Sequence, residues 1–355
     1  MILYLAYILL FILIFFTGAF FLFKSSTPRN FSEFLMELEL IWIGLETNVE
    51  DMMYGPCYNK VSLYPQSSSV AVLTGGNRGI GLCILKKLLQ CEMTVILGVR
   101  NIEAARKSVE SYIDSSLLMN KVIYETCDTG DMSSVREFAK RVQERCRGIN
   151  LLINNAGIMS PPFKLTKDGF ETQMAVNHIG HFLLTHLLMP QLISDGKESG
   201  RTSRIVSVAS CSHLGGKIKY DDFNCTKNYH PGKAYCDSKL AQIMFTNHLH
   251  KMCEEKSWNI QPYSCHPGLV NTGIFENIAA GSINWFRKIL MKTPEQGSRS
   301  VIYAAIAPEI ESNGGVYITN CRPSKISKIA KDDAECQKLF SFTCGLLKIK
   351  NFGIE

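Results

Sequence analysis

The chain has 355 residues, with 38 Lys and Arg against 32 Asp and Glu, and a formal net charge of +6. That length holds one large α/β domain with attachments, and the mild charge, with no dense basic run, leaves no electrostatic footprint for nucleic acid. The 13 cysteines form no Cys-x-x-Cys pair, and Cys, His and Asp do not cluster at metal-ligand spacing, which excludes a zinc module and fits reduced thiols in a reducing compartment.

Met1 to Phe23 carries no charged side chain and is rich in Leu, Ile, Phe and Tyr. As a helix this stretch is long enough to cross a bilayer. It lacks the basic start and short apolar core of a cleaved secretory signal, so residues 1–23 read as a retained transmembrane signal-anchor. Lys24 and Arg29 follow it and no Lys or Arg precedes it, which places the bulk of the chain in the cytosol by the positive-inside rule. Asn30-Phe31-Ser32 and Asn224-Cys225-Thr226 match the glycosylation pattern but are expected to stay unmodified on that side of the membrane.

Residues 24–69 read as a linker with an amphipathic segment. From Phe31 to Asp51, apolar residues such as Phe34, Leu38, Ile41 and Leu45 recur at helical spacing among Glu33, Glu37, Glu39 and Glu46. Two readings stand: a helix lying along the membrane, although an anionic surface would repel its acids, or a spacer helix packed on the domain. Tyr64 to Ser69 ends the linker, and the catalytic domain is expected over 70–355.

That domain opens with Val70 to Leu73, a short apolar run, followed by the glycine-rich Thr74 to Gly81 and a helical pattern over Ile80 to Leu89. A strand feeding a glycine turn at a helix N-terminus makes an anion site. The spacing Gly75-x-x-x-Gly79-x-Gly81 differs from the G-x-G-x-x-G dinucleotide fingerprint. Further strands are predicted at Thr94–Val99, Val122–Glu125, Leu151–Ile153, Arg204–Val208, Ile260–Cys265 and Gly315–Ile318. Helical patterns lie between them, notably Asp131–Cys146, Phe170–Leu192, Ala234–Glu254 and Pro294–Ala307. This alternation predicts an α/β, Rossmann-type doubly wound domain with a seven-stranded parallel sheet and ligands at the carboxyl ends of its strands.

Several polar motifs fall at those strand ends. Asn154-Asn155-Ala156-Gly157 follows the fourth strand, Asn177 lies in the helix after it, and Ser210 follows the fifth. Tyr235 and Lys239 share one face of the next helix, being four residues apart. His266-Pro267-Gly268 follows the sixth strand, with Asn271-Thr272 close behind.

The set TGGNRGIG, NNAG, Asn177, Ser210, YCDSK and HPG resembles the short-chain dehydrogenase/reductase family over roughly Val70 to Leu347. NHIGHFLLTHLL, AYCDSKLAQIMFT and HPGLVNT resemble its membrane-bound retinol dehydrogenase branch, and KTPEQGSRSVIYAAIAPEIESNGGVYI is similar to members that act on polyprenols. The resemblance implies an NAD(P)(H)-dependent oxidoreductase that interconverts a hydrophobic, lipid-like alcohol and its carbonyl. It also implies residence at the endoplasmic reticulum or on lipid droplets, and it admits homo-oligomers.

Hydride transfer needs a group that exchanges a proton with the substrate oxygen. A free tyrosine titrates near about 10, and a cation one helical turn away, Lys239, favours its phenolate. The resemblance makes Tyr235 the acid/base, has Lys239 bind the nicotinamide ribose as well, gives Ser210 the substrate oxygen to orient, and gives Asn177 a relay water to hold. It assigns coenzyme contacts to Gly75, Asn77, Arg78, Gly79, Ile80, Gly81, Arg100, Asp128, Asn154, Ala156, Gly157, Pro267, Gly268 and Thr272, and it places a substrate loop over 271–294. There Ile274, Phe275, Ile278, Ile283, Trp285, Phe286, Ile289, Leu290 and Met291 are interleaved with Arg287, Lys288 and Lys292. The chain departs from the family pattern at Ser207-Val208-Ala209-Ser210, where Asn-x-Ser-Ser is common, and at Thr129-Gly130 after Asp128.

An acid at the end of the second strand would bind the 2′-hydroxyl of NAD. Here that strand ends Gly98-Val99-Arg100, and Arg78 sits in the glycine loop. Two guanidinium groups suit a 2′-phosphate, which favours NADP(H) with NAD(H) as the second coenzyme. The alternatives are a retinol or steroid dehydrogenase and, from another class, a catalytically silent Rossmann-fold scaffold. A scaffold has no need of Ser210, Tyr235 and Lys239 together.

Overall fold

Aliphatic and β-branched residues give strand β1 (Val70–Thr74), whose alternate side chains enter two different cores. The computed structural model describes residues 30–54, 59–118, 121–276 and 291–354. The remaining strands are β2 (Thr94–Val99), β3 (Val122–Thr126), β4 (Leu151–Asn154), β5 (Ser203–Val208), β6 (Ile260–His266), β7 (Tyr317–Thr319) and β8 (Arg322–Pro323). They form one sheet in the order β3-β2-β1-β4-β5-β6-β7-β8. Every neighbouring pair is parallel except β7 with β8. The strand order reverses between β1 and β4, which opens a crevice at the carboxyl ends of both.

The described helices are α1 (Phe31–Met53), α2 (Gly79–Gln90), α3 (Ile102–Tyr112), α4 (Ser115–Leu118), α5 (Met132–Arg145), α6 (Thr172–Met174), α7 (Gly180–Glu198), α8 (Pro231–Glu255), α9 (Pro294–Ile306), α10 (Lys328–Lys331) and α11 (Asp333–Leu347). Val72, Leu152 and Ile205 face one core with Phe138 of α5, Phe182 of α7, Leu240 of α8 and Leu339 of α11. Leu73, Ile153 and Val206 face the other with Leu85 of α2, Val109 of α3 and Val301 of α9. Near-continuous apolar strands covered on both faces are what a parallel sheet requires.

The expected seven-stranded sheet has an eighth strand. β8 is two residues long and antiparallel to β7. It returns through Asn320 and Cys321, both at positive φ (52° and 55°), the conformation a two-residue hairpin turn demands. Two residues ending in Pro carry no strand periodicity to read. The pattern expected over Phe170–Leu192 is also interrupted: a π-turn, Ala175–Ile179, sits between α6 and α7 and contains Asn177.

Asn30 caps α1 by accepting a hydrogen bond from the Glu33 amide. One face of α1 is packed on the domain: Ile41, Ile43 and Leu45 are buried, and Leu40 and Ile43 lie against Gly215. The opposite face exposes Phe31, Leu35, Trp42, Val49 and Met53, whose spacing puts them in one stripe along the helix. Spacer helix and apolar outer face thus coexist. The anchor expected over 1–23 lies outside the described residues; among those described, no helix is long and apolar enough to cross a membrane.

Candidate active site

Thr74 ends β1, and its Oγ1 accepts hydrogen bonds from the amides of Asn155 and Ala156, each at 3.0 Å. Asn155 returns the contact, its Nδ2 donating to the carbonyls of Thr74 (2.9 Å) and Gly75 (3.0 Å). The ends of β1 and β4 are therefore tied across the crevice. Gly75 and Gly79 adopt positive φ, 69° and 54°, which glycine alone takes at no steric cost. A Cβ on Gly81 would stand 2.2 Å from the Gly75 carbonyl oxygen, so α2 starts in direct contact with the loop. No side chain caps α2, and its first residues line the crevice, so free amides and the positive end of the helix dipole are available to an anion.

The crevice opens into a cleft of about 870 Å³. Of the residues predicted to hold coenzyme or catalyse, all line this cleft except Asn154 and Asn177. Asn154 is fully buried, and its Nδ2 donates to Thr185 Oγ1 at 3.1 Å. Its neighbour Asn155 takes the position at the cleft, because successive residues at a strand end point opposite ways. Asn177 is also fully buried. Its Oδ1 accepts from the Ile158 amide (3.0 Å), and its Nδ2 donates to the Ile158 carbonyl and to Ser238 Oγ (2.9 Å). Its side chain thus braces the loop after β4 against α8.

Arg78 and Arg100 are exposed at the cleft wall that also holds Asp128 and Thr129. Among the described residues neither guanidinium is paired with a carboxylate. Asp128 spends one carboxylate oxygen on the Gly130 amide at 2.9 Å. Of the expected substrate loop, residues 277–290 lie outside the described residues. Val270 and Lys292, on either side of them, form a parallel bridge.

Ser210, which also lines the cleft, leaves β5 and caps a short turn, accepting from the Ser212 amide at 3.2 Å. Tyr235 and Lys239 project from α8, whose N-terminus is set by His230 and by Pro231 in the first turn. Lys239 Nζ lies 5.6 Å from the centre of the Tyr235 ring. It donates to the Val208 carbonyl and to Gln242 Oε1, each at 2.8 Å. Burial pushes the Lys239 ammonium down to about 7. Burial likewise raises the Tyr235 phenol above its ordinary value, while a hydrogen bond with Ser210 acts the other way.

Sequence reasoning missed Asn155, which follows an identical residue, and Gln242, one turn beyond Lys239 and 2% exposed. The i, i+3 spacing from Lys239 was the available signal for Gln242. Among the described residues no group of His, Cys, Asp or Glu is placed to hold a metal ion.

A family model for the short chain dehydrogenase matches residues 69–282. Polyprenol dehydrogenase of Homo sapiens is 35% identical over 286 residues, 79% of this chain and 85% of that one. Retinol dehydrogenase 11 of Homo sapiens is 35% identical over 294 residues, 82% of this chain and 89% of that one. Among solved structures, a protein from Mycobacterium Paratuberculosis gives a TM-score of 0.65 at 30% identity, covering 81% of this chain and 96% of that one. The NADPH-bound carbonyl reductase from chicken fatty liver gives 0.53 at 22% identity, over 72% and 96%, a likeness of fold. The chain therefore belongs to the short-chain dehydrogenase/reductase family, on its retinol-dehydrogenase-like branch, and is an NAD(P)-dependent oxidoreductase.

Proposed function

We propose that the chain interconverts a hydrophobic, membrane-derived alcohol of polyprenol type and its carbonyl, with NADP(H) preferred over NAD(H). The observation that carries this reading is that Ser210, Tyr235 and Lys239 line the same cleft as the glycine loop. The similarity to polyprenol dehydrogenase over most of both chains supports the substrate class. The comparable similarity to retinol dehydrogenase 11 supports retinoids as the second reading.

The residues present fit a dinucleotide. Gly75 and Gly79 hold backbone conformations that let a pyrophosphate approach the start of α2. Gly75, Asn77, Arg78, Gly79, Ile80 and Gly81 would hold the phosphates, with Arg100 added at a 2′-phosphate. Asp128 would meet the adenine, and Ala156, Gly157, Pro267, Gly268 and Thr272 the nicotinamide half. The nicotinamide, when bound, supplies or accepts a hydride.

The rest falls to the chain. Tyr235 exchanges the proton at the substrate oxygen, and Ser210 orients that oxygen through its hydroxyl. Lys239, held by Val208 and Gln242, would bind the nicotinamide ribose and favour the phenolate through its charge. Asn177 braces α8 through Ser238 and would hold the relay water.

Membrane residence is part of the same reading. Residues 1–23 would anchor the chain, 24–69 connect, and 70–355 form the catalytic domain on the cytosolic side. The stripe from Phe31 to Met53, with Trp42 53% exposed, follows directly after the apolar segment and suits a lipid surface. Asn224 uses both ends of its amide within the fold, accepting from Glu171 and donating to Gly169, which agrees with an unglycosylated side chain. The test is turnover by membranes bearing the protein, given NADPH or NADH with a polyprenal, retinal or a ketosteroid. Polyprenal reduction with NADPH should be fastest and absent in Tyr235→Phe. Turnover of none of the three, or near-wild-type turnover by Tyr235→Phe, would overturn the proposal.

A further inference from the structure

Helix α1 reaches the active-site cleft through one residue near its C-terminal end. Asp51 is buried, and its Oδ2 accepts a hydrogen bond from the Leu269 amide at 3.1 Å. Its Oδ1 accepts from Lys292 Nζ at 2.7 Å. Both side chains of this ion pair are nearly closed off from water, at 6% and 10% exposure. Lys292 also donates to Asn320 Oδ1 (2.6 Å), which accepts from Asn59 Nδ2 as well (3.1 Å). The main chain of Lys292 is hydrogen bonded in both directions, its amide to the Leu269 carbonyl and its carbonyl to the Asn271 amide.

The same residues border the cleft. Pro267, Gly268, Leu269 and Val270 line it after β6. Gly268 has φ of 93°, and a Cβ there would meet Asp51 Oδ2 at 2.6 Å and Lys292 Nζ at 2.7 Å. The turn therefore has its unusual backbone pressed directly onto the ion pair. Tyr54, which ends α1, stacks under the Arg322 guanidinium, 3.3 Å from its ring centre. The N-terminal part of the helix leans on the catalytic elements too. Leu40 lies against Gly232 of α8, and Glu37 stands 3.5 Å from His230, the residue that caps α8.

We propose that Asp51 is a positioning residue of the active site: with Lys292 it fixes the Pro267–Val270 turn, so that a helix outside the family's sheet core sets the wall of the cleft beside Tyr235. The proposal rests on the dehydrogenase reading above for the meaning of that wall. A buried pair of opposite charges is poor evidence for stability, since apolar residues of similar size often replace it without loss. Its use here is geometric. The carboxylate is the acceptor for an amide that no strand pairs, and it couples that amide to the residue on the far side of the 271–291 segment. An apolar pair would fill the space but leave the Leu269 amide without its acceptor.

The test uses the full chain in detergent or bilayer. Asp51→Asn and the double variant Asp51→Leu/Lys292→Met are compared with wild type by thermal midpoint, by amide hydrogen exchange of the peptide holding 266–271, and by kcat and KM for retinal with NADPH. The double variant removes both charges and keeps the protein folded if the single one does not. The expected result is at least tenfold faster exchange at 266–271, unchanged exchange in β1 and β4, and a fall in kcat of fivefold or more. A merely structural role would lower the midpoint and leave kcat of the folded fraction alone. Unchanged exchange at 266–271, or faster exchange with wild-type kcat, overturns the proposal. If the wild type itself reduces no carbonyl, the functional reading fails, while the exchange result still decides whether Asp51 holds the turn.

Discussion

Replacing Gly81 with Ala tests whether the glycine loop is a coenzyme cradle or a steric convenience. The new Cβ would lie 2.2 Å from the Gly75 carbonyl oxygen, against 3.4 Å or more in ordinary contact, and 2.7 Å from Asn155 Nδ2. Neither neighbour is a free side-chain end. The Gly75 carbonyl accepts from Asn155, and Asn155 also holds Thr74. The loop must therefore move by about an ångström, and Asn155 must give up one or both bonds. Overpacking of this kind costs about 1–3 kcal/mol, and each hydrogen bond adds about 0.5–1.5 kcal/mol. Because the displaced amides are those offered to the pyrophosphate, much of this falls on coenzyme binding, and the Kd for NADPH should rise roughly 10- to 100-fold. Calorimetric titration of NADPH into the detergent-solubilised full chain measures this directly. Gly345→Ala is the control: nothing lies within 4 Å of its Cβ. It sits in α11, so it should leave the Kd alone and stabilise by about 0.5–1 kcal/mol. A Gly81→Ala protein that binds NADPH within about twofold of wild type would refute the reasoning.

Two further outcomes are expected. Replacing Arg78 and Arg100 together with Ala should weaken NADP(H) selectively, by about 1.5–3 kcal/mol for each charge-assisted hydrogen bond removed; equal weakening of NAD(H) in parallel titrations would rule them out as selectors. Lys239 binds its proton less tightly in the fold, near 7, than at its ordinary 10.5. Between those values the unfolded chain carries more protons, so this group makes stability rise with pH from about 7 upwards. Buried thiols such as Cys265, raised from 9.0 by burial, act in the opposite sense above about 9. Denaturant midpoints between about pH 7 and 9 should climb for wild type and stay flatter for Lys239→Met; parallel slopes would show that Lys239 is not the group responsible.

The parallel sheet and the Ser210, Tyr235 and Lys239 set were legible because both rest on local spacing: strand–helix alternation for the first, i, i+4 on one helix for the second. Asn154 and Asn155 could not be told apart, since which of two adjacent identical residues faces the cleft depends on the exact end of β4. Asn177 was recognisable as a motif residue, but the π-turn around it, which turns its amide towards Ile158 and Ser238, has no sequence periodicity. The Phe31–Asp51 pattern could be read two ways because both faces of α1 carry apolar residues. Its anchoring contact, Asp51 with Leu269, spans 218 residues, a distance that no local pattern reports.

That separation has a consequence for how the protein is made. α1 is synthesised before any strand of the sheet, yet Leu269 and Lys292 follow Asp51 by 218 and 241 residues. At about 5–20 residues per second, Asp51 waits roughly 10–50 s for these two partners. The segment that carries Gly215 and Gly232, against which Leu40 and Ile43 pack, is made before Leu269, so the apolar face of α1 has a protein surface before Asp51 has its partners. The helix that leaves the ribosome ahead of the whole sheet thus has its Asp51 contacts completed only after six strands of that sheet have been made.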